Sequence, residues 1–450
     1  MGDFRDIADR IAGDIASGRL RPGQRLPPQR WFARRHRIAP STAGRVYGEL
    51  VRRGLVVGEV GRGTFVRAAP EGEQGRSLTE PPLRPSAPPV NLELNYPVTA
   101  AQSELLAPAL APLLRPDVLT EASRAVAATG TAAARAAAAR LLALPGWRPG
   151  PDRFLFTGNA RQAIAAAFAS LVRPGGRVGV EELTYPLVKE IAGRLGVVLV
   201  PLDGDDEGGV RPDALRAAHR AAPLSALYLQ PTLHNPTSVT TTDRRMRELA
   251  RVTADLGMPV VEDRIWSFLH PGAVPFAAHA PELTHVVDGL SKRVAPGLTV
   301  GLLVVPRARV EAVGAAVRSG GWSAGRFAVE AAVRWVEEGI VERLVEDKRA
   351  DAARRQALLA EALGGFRVRT DPRAYFAWWE LPAPWRADPF TAAAAAHGIA
   401  VTPGTAFAVD PRRTPDAVRL GLASAPEAEL RRALRTLAAV AAAGPPADTR

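Results

Sequence analysis

The sequence contains no cysteine, so disulfides, thiol nucleophiles and thiolate metal ligands are excluded together, and no metal site is expected. Lysine is nearly as scarce, with Lys189, Lys292 and Lys348 the only three among 58 basic residues. Also missing is an uncharged apolar run long enough to span a bilayer, since even the alanine-rich stretch 131–144 carries Arg135 and Arg140. The opening MGDFRDIADRIAGDI interleaves acids with apolar residues and offers no signal-peptide core. A cytoplasmic protein with no membrane partner is expected.

What is present is enough for a large core: 450 residues, 47% of them hydrophobic, which suits two or three folding units. The net charge of +12 is unevenly placed. Residues 1–67 hold fourteen arginines and six acids, so +8 of it lies there, a density that suits a nucleic-acid partner. Residues 68–90 contain six prolines and little apolar periodicity and read as an extended linker. Beyond them strand-like runs (FLFTG at 154–158, RVGVEE at 177–182, VVLVPL at 197–202, ALYLQP at 226–231, PVVEDR at 259–264, HVVDGL at 285–290, GLLVVP at 301–306) alternate with segments of helical spacing such as 160–172 and 243–256. That alternation predicts an α/β domain with a mostly parallel sheet covered on both faces. From about 365 onward a smaller α+β subdomain is expected, ending in a frayed tail.

Within 1–67, Ile7, Ile11 and Ile15 recur at helical spacing. After a turn through Gly18, Pro22 and Gly23, a second helix is predicted at 28–36. A third has Ser41 as its N-cap and Gly54 as its stop, and two short strands surround the Gly-Arg-Gly of 61–63. This is the order of a winged helix-turn-helix. LPPQR, ST…RVYGEL, RRGLV and GRGTFV resemble the DNA-binding domain of GntR-type regulators. The resemblance implies that the third helix enters the major groove of double-stranded DNA and the wing follows the backbone. Ser41, Thr42 and Arg45 would then reach base edges, with Arg30 and Arg62 contacting DNA. Tyr47 and Leu50 read as core.

Four stretches of residues 91–440 carry chemistry. VVDGLSKRVAPGL at 286–298 offers Lys292, a primary amine able to condense with an aldehyde; Lys189 and Lys348 read as surface lysines. VVEDRIW places Asp263 at a strand end, with Glu262 as a structural neighbour. LHNPTS contains Asn235. FTGNARQAI runs strand, turn, helix, so the amides of Asn159, Ala160 and Arg161 head a helix suited to a phosphate. These stretches resemble fold-type I aminotransferases, and with the winged helix the whole resembles the MocR group of GntR regulators. By that resemblance the large domain is of the pyridoxal-phosphate-dependent transferase fold, with Lys292 the Schiff-base lysine and Ser291 beside it in the cofactor site. Asp263 would pair with the pyridine nitrogen, Asn235 would donate to the phenolic oxygen, and Tyr185 would stack on the ring. Arg419, in AVRLGLAS, would bind an effector's carboxylate. The resemblance also implies a homodimer.

The pattern departs from the family in four places. Thr299 stands where an arginine usually neutralises the phosphate, Trp266 where a tyrosine meets the phenolic oxygen, and Ser238 where Asn-Pro-Thr-Gly has its glycine. LTEASRAVAATGT occupies 119–131 in place of a tyrosine-containing stretch. Arg161 or Arg293 could supply the missing charge. The leading expectation is a transcription regulator that binds pyridoxal phosphate, an amino-compound effector, or both, with the cofactor held more weakly than in a transaminase. Two alternatives stay open: an aminotransferase with an accessory DNA domain, and a regulator that has lost the cofactor.

Overall fold

The computed structural model describes residues 4–16, 19–20, 24–59, 63–67, 90–205 and 208–445. The tip of the wing with Arg62, and the expected linker up to residue 89, lie outside the described residues. The chain falls into two compact units, one of residues 1–95, 358–368 and 378–450, the other of 96–357 and 369–377.

The first unit opens with helices Phe4–Ala16, Gln29–His36 and Pro40–Arg52. Strand Arg25–Leu26 pairs with Gly63–Val66, which pairs antiparallel with Val56–Glu59, so Glu59 faces Gly63 across the wing. Ile7, Ile11, Phe32, Val46, Leu50, Val56 and Val66 form the core, and Tyr47 joins them while its hydroxyl donates to the Pro27 carbonyl at 2.5 Å. The third helix begins two residues earlier than expected. Pro40 occupies its first turn and Ala39 its N-cap, because proline is pre-set for the helix and needs no amide acceptor there. Ser41 is therefore inside the helix and not its cap. Gly54, at φ 66, ends the segment in the left-handed region.

The C-terminal part of this unit is the α+β subdomain. Helices Ala387–Ala396 and Glu427–Ala443 accompany a four-stranded sheet in the order Val368–Arg369, Phe376–Glu380, Ala417–Gly421, Thr402–Pro403. Strand Val90–Asn91 pairs with Ile399–Ala400, so the chain leaving the proline-rich segment is stitched to this subdomain. The Arg386 guanidinium lies 3.9 Å from the ring centre of Phe65 on the wing strand.

The second unit holds a seven-stranded sheet in the order Phe154–Thr157, Gly301–Val304, Thr284–Gly289, Val260–Asp263, Ala226–Leu229, Arg177–Glu181, Val198–Leu202. Only Gly301–Val304 runs against its neighbours; the other pairings are parallel. Strands Val260–Asp263, Thr284–Gly289 and Gly301–Val304 are buried at every residue, the signature of a sheet covered on both sides. Helix Ala160–Leu171 is buried over Ala163–Phe168, and Met246, Leu249 and Val252 of helix Asp243–Asp255 pack with Leu227 and Val260. Among the described residues no helix is long and apolar enough to cross a membrane.

Candidate functional site

Strands Val260–Asp263 and Thr284–Gly289 run side by side with Asp263 opposite Val287, so both end at the same edge of the sheet. The second strand passes through Gly289 into the short helix Leu290–Arg293. A Cβ on Gly289 would lie 2.9 Å from the Val300 carbonyl oxygen, so the close passage of the returning strand requires glycine. Lys292 projects from this helix. Its amine lies 3.8 Å from the ring centre of Tyr96 and 4.9 Å from that of Trp266.

Asp263 is buried. One of its oxygens accepts from the Tyr228 hydroxyl at 2.8 Å and the other from the Ile265 amide at 3.0 Å. Burial pushes its carboxyl up to about 6, against the pull of those two hydrogen bonds. The network continues inward. Gln230 Nε2 donates to the Tyr228 oxygen at 3.1 Å, Gln230 Oε1 accepts from the Asn235 amide at 3.2 Å, and the Gln230 amide donates to Glu181 Oε1 at 3.0 Å. Asn235 Oδ1 is buried with no partner, a cost that native structures meet with a ligand or water. Glu262 has a structural role: it accepts from the amides of Phe276 and Ala277, both at 2.9 Å, and from Arg264.

Asn159 is the N-cap of helix Ala160–Leu171, its side chain accepting from the Gln162 amide at 3.1 Å. That leaves the first-turn amides of Ala160 and Arg161 without an intrahelical acceptor, an arrangement suited to an anion. The Thr157 hydroxyl donates to the Asn159 carbonyl at 2.8 Å and so fixes the turn. Thr299, at the position of the absent arginine, meets Ser291 hydroxyl to hydroxyl at 3.0 Å. Arg293 is not available to replace that arginine, because it is buried in an ion pair with Asp288 at 2.6 Å. Arg161 is exposed, and its charge acts on Tyr96. Tyr185 is half-buried at the head of helix Pro186–Arg194. Ser238, where the family has glycine, sits at φ 61, its hydroxyl donating to the Phe376 carbonyl at 2.9 Å.

Two side chains differ from expectation. Lys348 is not a surface lysine: it is fully buried, its amine donating to the carbonyls of Lys292, Arg293 and Val294 at 3.1, 2.9 and 2.7 Å. Trp266 is buried and packs against Phe268, Tyr375 and Phe376, so it serves the site as an aromatic wall. Sequence reasoning missed Tyr96, Tyr228, Gln230, Glu181 and Lys348, and for most of these no local motif could have found them. Arg419 belongs to the other unit, where it is buried beneath Phe407 and donates to the Glu93 carbonyl at 2.7 Å.

On the winged helix Arg30 and Ser41 are exposed and Thr42 is half-buried. Arg45 is exposed at its backbone turn, with its guanidinium 4.1 Å from the Phe4 ring centre.

A buried strand-end carboxylate, a lysine amine on the next strand's helix and a helix N-terminus, all on a sheet with one reversed strand, define a domain of the pyridoxal-phosphate-dependent transferase fold in a chain that also carries a winged helix. The chain belongs to the family Aminotransferase class I and II, which residues 120–437 match, and residues 4–66 match the gntR family of bacterial regulatory proteins. It is 29% identical to an uncharacterized HTH-type transcriptional regulator, YdeF of Bacillus subtilis, over 93% of this chain and 90% of that one. To YdcR of Escherichia coli, another HTH-type transcriptional regulator, it is 24% identical over 90% and 92%. The structure of the multiple substrate aminotransferase from Thermococcus profundus aligns with a TM-score of 0.72 at 22% identity, over 83% of this chain and 95% of that one, a likeness of fold.

Proposed function

We propose that this protein is a cytoplasmic transcription regulator that binds double-stranded DNA as a homodimer and carries pyridoxal phosphate on Lys292, through which it senses an amino compound. The observation that carries this reading is the approach of the Lys292 amine to two aromatic rings, on the helix that follows the strand beside Asp263. The residues present fit the cofactor. Lys292 is the amine for its aldehyde, Asp263 a carboxylate for the pyridine nitrogen, and the Asn235 side-chain amide, whose buried Oδ1 has no partner, is proposed to donate through its NH2 to the ring oxygen. The Ala160 and Arg161 amides, with Ser291 and Thr299, are proposed to supply neutral donors to its phosphate. When bound, the cofactor supplies an electrophilic carbon that amines can reach.

The protein's own groups set its behaviour. Tyr228 donates to one oxygen of Asp263 and the Ile265 amide to the other, which fixes the carboxylate while each oxygen keeps a lone pair for a cationic partner. Trp266 closes one side of the amine with an apolar face, and Tyr185 is proposed to cover the ring. With Thr299 in place of an arginine, one charge-assisted contact is absent, worth about 1.5–3 kcal/mol or roughly ten- to a hundredfold in affinity. Weak, reversible retention of the cofactor suits a sensor. Arg419 is proposed to take the carboxylate of the effector.

The full-length protein incubated with pyridoxal phosphate, reduced with borohydride and digested should yield the phosphopyridoxyl group on Lys292 and on neither other lysine. Lys292→Ala should yield none. DNA selection with and without the cofactor should return a defined operator in at least one of the two conditions. Brisk turnover of amino acids by protein that ignores every duplex would identify an enzyme and defeat the proposal.

A further inference from the structure

Lys348 is fully enclosed near the candidate site, and no step of the proposed function uses it. It lies on helix Ile340–Leu363 with 0% of its surface exposed. An ammonium has three donors and no acceptor. Here the three meet three consecutive carbonyls, those of Lys292, Arg293 and Val294. These are the carbonyls at the end of helix Leu290–Arg293, which have no partner within the helix. A cation also suits the negative end of the backbone dipoles there.

The lysine is itself fixed. Its own carbonyl accepts from the Tyr375 hydroxyl at 2.7 Å, and the next residue, Arg349, donates through Nε to the Phe268 carbonyl at 2.7 Å. Asp351, whose charge acts on Lys348, accepts from Arg354, Arg355 and Tyr375, so Lys348 is oriented by backbone oxygens. One end of Lys292, its carbonyl, is thus gripped from behind while the other end, its amine, rests over Tyr96 and Trp266.

We propose that Lys348 is the positioning residue of the candidate site: by clamping the carbonyls of residues 292–294 it fixes the backbone from which the Lys292 amine projects, so that this amine is presented to an aldehyde cofactor. The inference rests on the reading of Lys292 given above, but one of its readouts is independent of any cofactor.

The test compares full-length wild type with Lys348→Met, which keeps the length without the donors, and Lys348→Gln, which keeps some donors without the charge. Two quantities are measured: amide hydrogen exchange over residues 290–298 in cofactor-free protein, and the fraction of Lys292 trapped by borohydride at a fixed concentration of pyridoxal phosphate. Thermal melting and DNA binding report the fold. Lys348→Met should exchange about tenfold faster or more over 290–298, the effect of one lost charge-assisted hydrogen bond. Exchange over 160–171 should stay as in wild type, trapping should fall by a similar factor, and Lys348→Gln should lie between. A folded Lys348→Met with wild-type exchange and trapping overturns the proposal. So does loss of cooperative melting in both variants, because the lysine would then hold the whole domain and not the amine. If Lys348→Met alone fails to melt cooperatively, Lys348→Gln decides by the same two readings. If wild type takes up no pyridoxal phosphate, the reading of the preceding subsection fails, while the exchange rates still decide this one.

Discussion

Glu181 is a carboxyl with one oxygen bonded to the Gln230 amide and the other buried without a partner. Burial raises it from 4.5 to about 7, with the Asp263 charge adding to the rise. Between those two values the folded carboxyl holds a proton that the unfolded one has released. Its protonation therefore favours the fold at low pH, and that advantage is lost as pH rises through about 7. The full cost is about 3 kcal/mol at most, from the size of the shift. Glu181→Gln keeps an acceptor for Gln230 and has no charge to bury. Denaturant unfolding of the cofactor-free protein should show Glu181→Gln more stable than wild type at pH 8 by about 1–3 kcal/mol, with the gap closing toward pH 4.5. A gap that does not change with pH would mean that Glu181 is not the titrating group. Because Glu181 joins Asp263 through Gln230 and Tyr228, the same variant reports whether that chain conveys charge to the candidate site.

At the scale of elements, helix Leu290–Arg293 has only four residues and cannot persist through its own hydrogen bonds. Lys348 holds one end, and Asp288 holds the other by accepting from the Gly289 amide at 2.7 Å and pairing with Arg293. Asp288→Ala would leave the Arg293 guanidinium buried and unpaired, a loss of about 3–5 kcal/mol, measurable as a lower midpoint in urea. Asp288→Asn, which keeps an acceptor, should lose less. Equal midpoints for Asp288→Ala and wild type would show that Arg293 finds other partners. The strands that frame this helix were legible in the sequence, because a two-sided sheet demands unbroken apolar runs, and all seven runs are strands. Lys292 and Asp263 were legible too, since both stand in local motifs. Lys348 was not. Its environment is made by carbonyls more than fifty residues away, and a lone lysine in VEDKRA carries no sign of burial. Tyr228 was hidden for the same reason, its partner being 35 residues distant. Ser41 was misread as the cap, two positions late, because Pro40 starts a helix as readily as serine caps one.

For the whole molecule, the uneven charge predicts two separable effects on DNA. Eight of the twelve net positive charges lie in residues 1–67, and a cation that neutralises a phosphate releases counterions whether or not the sequence is correct. Arg30, exposed on helix Gln29–His36, is proposed to do this; Arg45, exposed on the first turns of helix Pro40–Arg52, is proposed to read a base. Arg30→Ala should therefore weaken binding of the full-length protein to operator and random duplex alike, and flatten the plot of log affinity against log salt by about 0.9. Arg45→Ala should leave binding to random duplex almost unchanged and reduce discrimination for the operator by about 1–3 kcal/mol. Stacking on Phe4 gives Arg45 a second dependence. Phe4→Ala frees the guanidinium without removing its charge, so it should reproduce part of the lost discrimination while keeping the wild-type salt slope. Fluorescence anisotropy on both duplexes across a salt series separates these outcomes. A Phe4→Ala protein that discriminates as well as wild type would show that the arginine reads DNA without the ring beneath it.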